Sequence, residues 1–194
     1  LAGRLKKVNV ILFGPPGAGK GTQAKNLVKK LNSFQISTGD MLRDEIQKNS
    51  EIGKKIVEDM SDGRFVSDEI VNSLIEKLIF DPSKKNKLIF DGYPRSLTQA
   101  KNLEKLLEKT NQKIDFVFFL NVNKETIIKR IEQRKTIENR SDDDLNTIMK
   151  RYDKYMETTK PVLDFYSKNS NFYELDGSTK IEEITAKINS FLNL

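Results

Sequence analysis

Residues Gly14-Pro15-Pro16-Gly17-Ala18-Gly19-Lys20-Gly21-Thr22 are the stretch whose types and spacing bear most directly on chemistry. Glycines let the backbone curl until successive amide N–H groups point inward. A helix that follows adds the partial positive charge of its N-terminus, and a lysine adds a formal one. Together these make a cradle for phosphate oxygens. Gly14, Gly19 and Lys20 fit the spacing G-x-x-x-x-G-K, with an apolar run before them and an amphipathic helix pattern after, which is the context the motif requires. One position departs from it: Gly21 stands where a magnesium-ligating Ser or Thr is usual, and Thr22 comes one residue later. A dinucleotide loop is excluded, because G-x-G-x-x-G does not read through Gly17, Gly19 and Thr22. Asn123-Lys124-Glu125-Thr126 begins like a guanine-reading N-K-x-D but lacks the final aspartate. It reads as a strand end and a helix cap.

The composition says what else is available. There are 34 basic and 28 acidic residues, a formal charge of +6, and neither histidine nor cysteine. That removes imidazole general bases, Ser-His-Asp catalysis, thiolate nucleophiles, disulfides and His/Cys metal sites together. Carboxylates, hydroxyls, lysines, arginines and backbone amides must do the work. Of the 34 basic residues 26 are lysine and only eight arginine: Arg4, Arg43, Arg64, Arg95, Arg130, Arg134, Arg140 and Arg151. Arginine this scarce points to places that need a planar, bidentate fork, with lysine supplying the ordinary surface. A basic balance fits nucleic acid, an anionic membrane or phosphorylated small molecules. The lysine-rich stretches lack interleaved aromatics, which counts against nucleic acid. No run approaches about 18 apolar residues, so no membrane span is expected. The apolar stretch after Lys7 is too short for a signal-peptide core. A soluble cytoplasmic protein is the expectation.

Elements must position these groups. Continuously apolar runs at Val8–Phe13, Leu88–Asp91, Phe116–Val122 and Phe172–Leu175, with a weaker one at Phe34–Ser37, read as buried parallel strands. Helical patterns at Lys20–Leu31, Ser96–Lys109, Lys124–Lys135 and Ile181–Leu192 alternate with them. The alternation predicts one α/β domain over residues 1–194, a five-stranded parallel sheet of P-loop NTPase type with helices on both faces. Thr38 to Phe80 reads as a helical insertion broken once, at Ser61–Asp62–Gly63. Lys135–Asn139 reads as a polar bridge into a further helix whose N-cap is Ser141, with Asp144 three positions on. Lys84–Lys85–Asn86–Lys87 reads as a solvated loop.

Three more segments carry candidate chemistry, two of them (37–43 and 91–95) at strand ends, where ligands collect in such sheets, and one (64–71) within the helical insertion. They are Ser37-Thr38-Gly39-Asp40-Met41-Leu42-Arg43, Arg64-Phe65-Val66-Ser67-Asp68-Glu69-Ile70-Val71 and Asp91-Gly92-Tyr93-Pro94-Arg95, the last with Gln99 four residues on. With GPPGAGKGTQ, and in this order, they closely resemble the adenylate kinase family of nucleoside monophosphate kinases, over nearly the whole chain. The resemblance implies phosphoryl transfer from MgATP to AMP, giving two ADP. It implies a monophosphate-binding insertion at 37–66 and a lid at 133–143. Only about five residues separate Arg134 from Arg140, so this is similar to the short-lid form, without structural zinc. By resemblance, Gly17, Ala18, Gly19, Lys20, Gly21, Thr22, Arg130, Arg134 and Thr179 hold ATP. Thr38, Arg43, Arg64, Phe65, Val66, Gly92, Tyr93, Pro94, Arg95, Gln99, Arg140 and Arg151 hold AMP. Lys20, Asp91, Arg95, Arg130, Arg134, Arg140 and Arg151 act on the transferring phosphoryl. Magnesium comes with ATP, held mainly by phosphates and waters, with Asp91 and Asp40 near it and no direct protein ligand. Thr38 and Gln99 favour AMP over UMP or CMP. A UMP/CMP kinase on the same scaffold, or a basic ATP-dependent nucleic-acid-binding protein, are the competing readings. No membrane or nucleic-acid partner is implied, and a monomer is the expectation.

Overall fold

The computed structural model describes residues 6–138 and 144–194. Five strands, β1 (Val10–Phe13), β2 (Phe34–Ser37), β3 (Leu88–Asp91), β4 (Phe116–Asn121) and β5 (Phe172–Asp176), form one sheet in the order β2-β3-β1-β4-β5. Every pairing is parallel. Ile11 of the central strand pairs with Phe90 on one side and Val117 on the other. Strand alternation sends successive side chains to opposite faces. Val10 and Leu12 pack with Leu27 and Leu31 of α1 (Lys20–Leu31) and with Ile184 and Ile188 of α8 (Ile181–Leu192). Ile11 and Phe13 pack the other way, against Leu103 and Leu107 of α5 (Leu97–Lys109) and Val162 and Tyr166 of α7 (Leu145–Ser167). Both faces are therefore covered, as continuously apolar strands demand. Each such side chain removed from water contributes about 1.5–3 kcal/mol.

Several boundaries differ from expectation. β1 begins at Val10 rather than Val8, because Asn9 is a buried polar clamp. Its amide Nδ2 donates to the Lys113 carbonyl at 2.9 Å, and its Oδ1 accepts the Leu88 N–H at 3.0 Å. The insertion has two breaks, not one. It comprises α2 (Thr38–Gln47), α3 (Glu51–Ser61) and, after the expected break at Gly63, α4 (Asp68–Ile79). The unforeseen break is made by Asn49, at φ 51°, and by Ser50, whose hydroxyl accepts the Gly53 N–H at 2.9 Å. The α2–α3 hairpin closes so tightly that a Cβ on Gly53 would lie 2.1 Å from the Glu45 carbonyl oxygen.

The expected bridge after Lys135 is helical as far as it is described: α6 runs Lys124–Glu138, with no Gly or Pro to stop it. Its start is as read, with Asn123 Oδ1 accepting the Thr126 N–H at 2.9 Å. The N-cap of α7 is Asp144, not Ser141. The Asp144 carboxylate accepts from the N–H groups of Asn146 and Thr147, and Ser141 lies outside the described residues. The Lys84–Lys87 run is not simply solvated. Pro82–Lys84 is a 3-10 turn, and Lys84 pairs with Asp81 and lies 5.3 Å over the Phe34 ring. Among the described residues no helix is long and apolar enough to cross a membrane.

Candidate active site

The C-terminal ends of β1 and β3, adjacent in the sheet, deliver the phosphate loop and the Asp91–Arg95 loop to one place. Gly19 caps α1 with φ 94°, and a Cβ there would meet nothing within 4 Å. Glycine is required there for its backbone angle, not for space. Inside the curl, Lys20 Nζ donates to the carbonyl oxygens of Gly14 and Pro15 at 2.8 and 3.0 Å. Burial pushes the Lys20 ammonium down to about 8. Asp91 opposes that shift, and Arg95, Arg151 and Arg134 add to it. Four of the sequence-selected charges thus act on the Lys20 ammonium. Asp91 is itself nearly buried, accepts from Gln35 Nε2 at 3.0 Å, and lies 3.6 Å from where a Cβ of Gly21 would stand.

A cleft opens in front of this cradle, lined by Gly14, Pro16, Lys20, Phe65, Gly92, Pro94 and Arg95. Arg151, Tyr155 and Thr159 of α7 line it as well. A second, smaller hollow adjoins it and is lined by Gly39, Leu42, Arg43, Met60 and Arg64 of the insertion. Phe65, Arg95 and Arg151 line both. The two spaces therefore meet at a pair of guanidinium groups.

The second cavity gathers Arg43, Arg64, Phe65, Arg95 and Arg151 of the residues read as the monophosphate side. Arg43 Nη2 donates to Asp40 Oδ1 at 2.7 Å and lies 3.0 Å from where a Cβ of Gly39 would be. Arg95 Nε donates to the Gly92 carbonyl at 2.7 Å, and its guanidinium lies 5.0 Å over the Phe65 ring. Thr38 is buried, and its hydroxyl donates to the Gly92 carbonyl at 3.0 Å. The Tyr93–Pro94 peptide is cis. Tyr93 is fully buried, its hydroxyl donates to Asn72 Oδ1 at 2.9 Å, and burial pushes that phenol up to about 12. Its side chain is a structural post, tied also to the Gln99 carbonyl at 3.3 Å. Gln99 is buried with its amide engaged at both ends, by Arg95 N–H and by Asp68. Arg64 stands out in solvent and pairs with Asp59 and Asp62. Val66 packs into the core.

On the other side, Arg130 ties two loops together. Nη1 donates to the Ala18 carbonyl at 3.2 Å and Nη2 to the Gly177 carbonyl at 2.7 Å. It therefore links the phosphate loop to the loop after β5, where the Thr179 hydroxyl donates to the Asp176 carbonyl at 3.0 Å. Arg134, one turn further along α6, is half-buried. Arg140 lies outside the described residues. Among the described residues no three carboxylate, His or Cys groups gather around a metal position.

Three contributors carry no role in the motifs. Tyr155 and Thr159 follow Arg151 at i+4 and i+8 and line the cleft with it. That spacing was the available signal. Asp68 stood inside a motif without a role of its own.

The family model described as adenylate kinase matches residues 12–171. The adenylate kinase of Pelagibacter ubique is 47% identical over 213 residues, covering 96% of this chain and all of that protein. Those of Caulobacter vibrioides (strain NA1000 / CB15N) and Archaeoglobus fulgidus are 42% and 37% identical, over 95% of this chain and 97% and 98% of theirs. A half-buried lysine in a glycine cradle, two cavities meeting at shared arginines, and likeness over nearly the whole chain all point one way: the chain belongs to the adenylate kinase family.

Proposed function

We propose that this protein catalyses reversible phosphoryl transfer from ATP, carried with magnesium, to AMP, giving two ADP. One observation supports this best. The Lys20 cradle and the Arg43 side of the insertion open into adjoining cavities that share Arg95 and Arg151. Two anionic groups bound one in each would meet at those guanidinium groups. The nucleophile is a phosphate oxygen of the monophosphate, already largely ionised because its second pKa is near 6. No general base is then needed, which fits a chain without histidine. The residues have to bring the two phosphates into line, exclude water and neutralise charge on the transferring group. Lys20 and the Gly17–Thr22 amides hold the ATP phosphates. Arg95, Arg134, Arg140 and Arg151 act on the transferring phosphoryl, and Arg130 holds the Ala18 and Gly177 carbonyls in register. Thr38, Gln99 and the Arg64–Val66 segment read the acceptor base, and Arg43 takes its phosphate with Arg95.

Magnesium supplies charge neutralisation between the phosphates. An ion carried by the nucleotide would find the Asp91 carboxylate beside the phosphate loop, 3.6 Å from where a Cβ of Gly21 would stand. Residues 37–66 and 133–143 form the insertion and short lid of the same reading. Shortness of the lid draws support from alignment lengths. The Pelagibacter ubique match runs over 213 positions, more than this chain has, whereas the Caulobacter vibrioides match needs only 185. The protein acts as a cytoplasmic monomer in this reading. ADP formation by the pure protein from MgATP with AMP, compared with CMP and UMP, tests it. Robust turnover with AMP is expected, and no ADP from AMP overturns the proposal.

A further inference from the structure

Asp68 lies in the first turn of α4, two residues beyond Val66. Its half-buried carboxylate takes two hydrogen bonds from the start of α5. Oδ1 accepts from Gln99 Nε2 at 2.7 Å, and Oδ2 accepts from the Ser96 hydroxyl at 3.2 Å. At the other end of the same amide, Gln99 Oε1 accepts the Arg95 N–H at 2.7 Å. Ser96 completes the loop by accepting the Gln99 N–H at 3.1 Å as N-cap of α5. A carboxylate accepts and a backbone N–H donates, so the amide has one orientation: oxygen toward Arg95, nitrogen toward Asp68. The usual ambiguity of a glutamine side chain is absent here. These bonds leave one N–H and one oxygen lone pair of Gln99 unused, in a set order, for a base that reaches the amide. A purine with an exocyclic 6-amino group beside an acceptor nitrogen matches a donor–acceptor pair. A 6-oxo purine presents the inverse order.

We propose that Asp68 is a specificity-determining positioning residue, whose carboxylate holds the Gln99 amide in the orientation that accepts a 6-amino purine monophosphate and rejects a 6-oxo one. This rests on the reading of Gln99 as a base reader given above. Without the carboxylate, only the Arg95 N–H restrains the amide, and its nitrogen is left to wander.

The test compares kcat/KM for AMP and inosine monophosphate, with MgATP as donor, in the wild type and in Asp68→Ala, Asp68→Asn and Gln99→Ala. Losing one strong hydrogen bond predicts that Asp68→Ala lowers the AMP-over-IMP ratio by about tenfold, through KM for AMP rather than kcat. Asp68→Asn, whose amide oxygen still accepts from Gln99, holds the ratio within about twofold of wild type. If Asp68→Ala shows no cooperative melt, Asp68→Ser carries the same comparison. A wild-type ratio in Asp68→Ala alongside a lowered one in Gln99→Ala overturns the proposal alone. An unchanged ratio in Gln99→Ala overturns the base-reading role as well. Equal losses toward both monophosphates in Asp68→Ala reduce the residue to a structural one and also overturn it.

Discussion

Lys20→Met keeps most of the side chain's length and removes its charge, and the folded protein should become more stable relative to wild type at neutral pH than at high pH. The reason lies in how Lys20 is held. Burial brings its ammonium from an ordinary 10.5 down to about 8, with the arginines across the cleft adding to the effect. Below pH 8 both folded and unfolded chains hold the proton, and the folded state bears the full cost of the buried charge. Between 8 and 10.5 the unfolded chain still binds the proton while the folded one releases it, so wild-type stability rises with pH. Above 10.5 the rise stops. At about 1.4 kcal/mol per pH unit the whole effect amounts to about 3 kcal/mol. The Met variant lacks this dependence, so its stability advantage over wild type should shrink by about 3 kcal/mol from pH 7 to pH 10.5. Taking the difference between the two proteins cancels every other titrating group, and it also cancels the pH-independent loss of the bonds to Gly14 and Pro15.

Urea melts of both proteins at pH 7, 8, 9 and 10 measure it. A difference that stays flat across that range would refute the reasoning, whatever its size. The same geometry has a second consequence. Phosphate charge placed in the cradle favours the protonated lysine, so ATP binding above pH 8 should take up a proton and weaken by as much as about tenfold per pH unit. Calorimetry in buffers of different ionisation enthalpy reads that proton directly.

Two further substitutions probe single contacts. Gly53→Ala places a methyl group where the Glu45 carbonyl oxygen already stands, 2.1 Å away; forcing the α2–α3 hairpin apart should cost about 3 kcal/mol of stability, and an unchanged urea midpoint would contradict the packing described. Arg130→Lys keeps the charge but cannot fork between the Ala18 and Gly177 carbonyls; KM for ATP should rise about tenfold while KM for AMP stays nearly constant, and an equal rise in both would show that Arg130 does not act through the phosphate loop.

The residues that were legible in the sequence are those whose meaning is local. Lys20–Leu31, Phe34–Ser37, Leu88–Asp91 and Ile181–Leu192 appear with the bounds expected of them, because the apolar pattern that marks each lies inside the segment. The phosphate loop is the extreme case, since its curl, its helix and its lysine occupy nine consecutive positions. What stayed hidden depends on approach between distant parts. The close approach of Gly53 to Glu45 appears only once the α2–α3 hairpin has closed. Asp68 and Gln99 are 31 residues apart, and Arg130 and Gly177 are 47 apart. Spacing rules do not reach that far, so a bridging arginine and an oriented amide read only as motif letters.

Lys20 shows the limit most sharply, because both kinds of information meet in one side chain. Its position in the loop says that a cation faces phosphate, and that much is written in the motif. How strongly the empty protein holds that proton is set by Asp91 at the end of another strand, by Arg95 after it, and by Arg134 and Arg151 on two helices. Crowding four cations around one cleft costs stability, and polyanions that enter it offset that cost. A site arranged this way trades folded stability for phosphate affinity, so its charge state belongs to the packed whole and to what is bound.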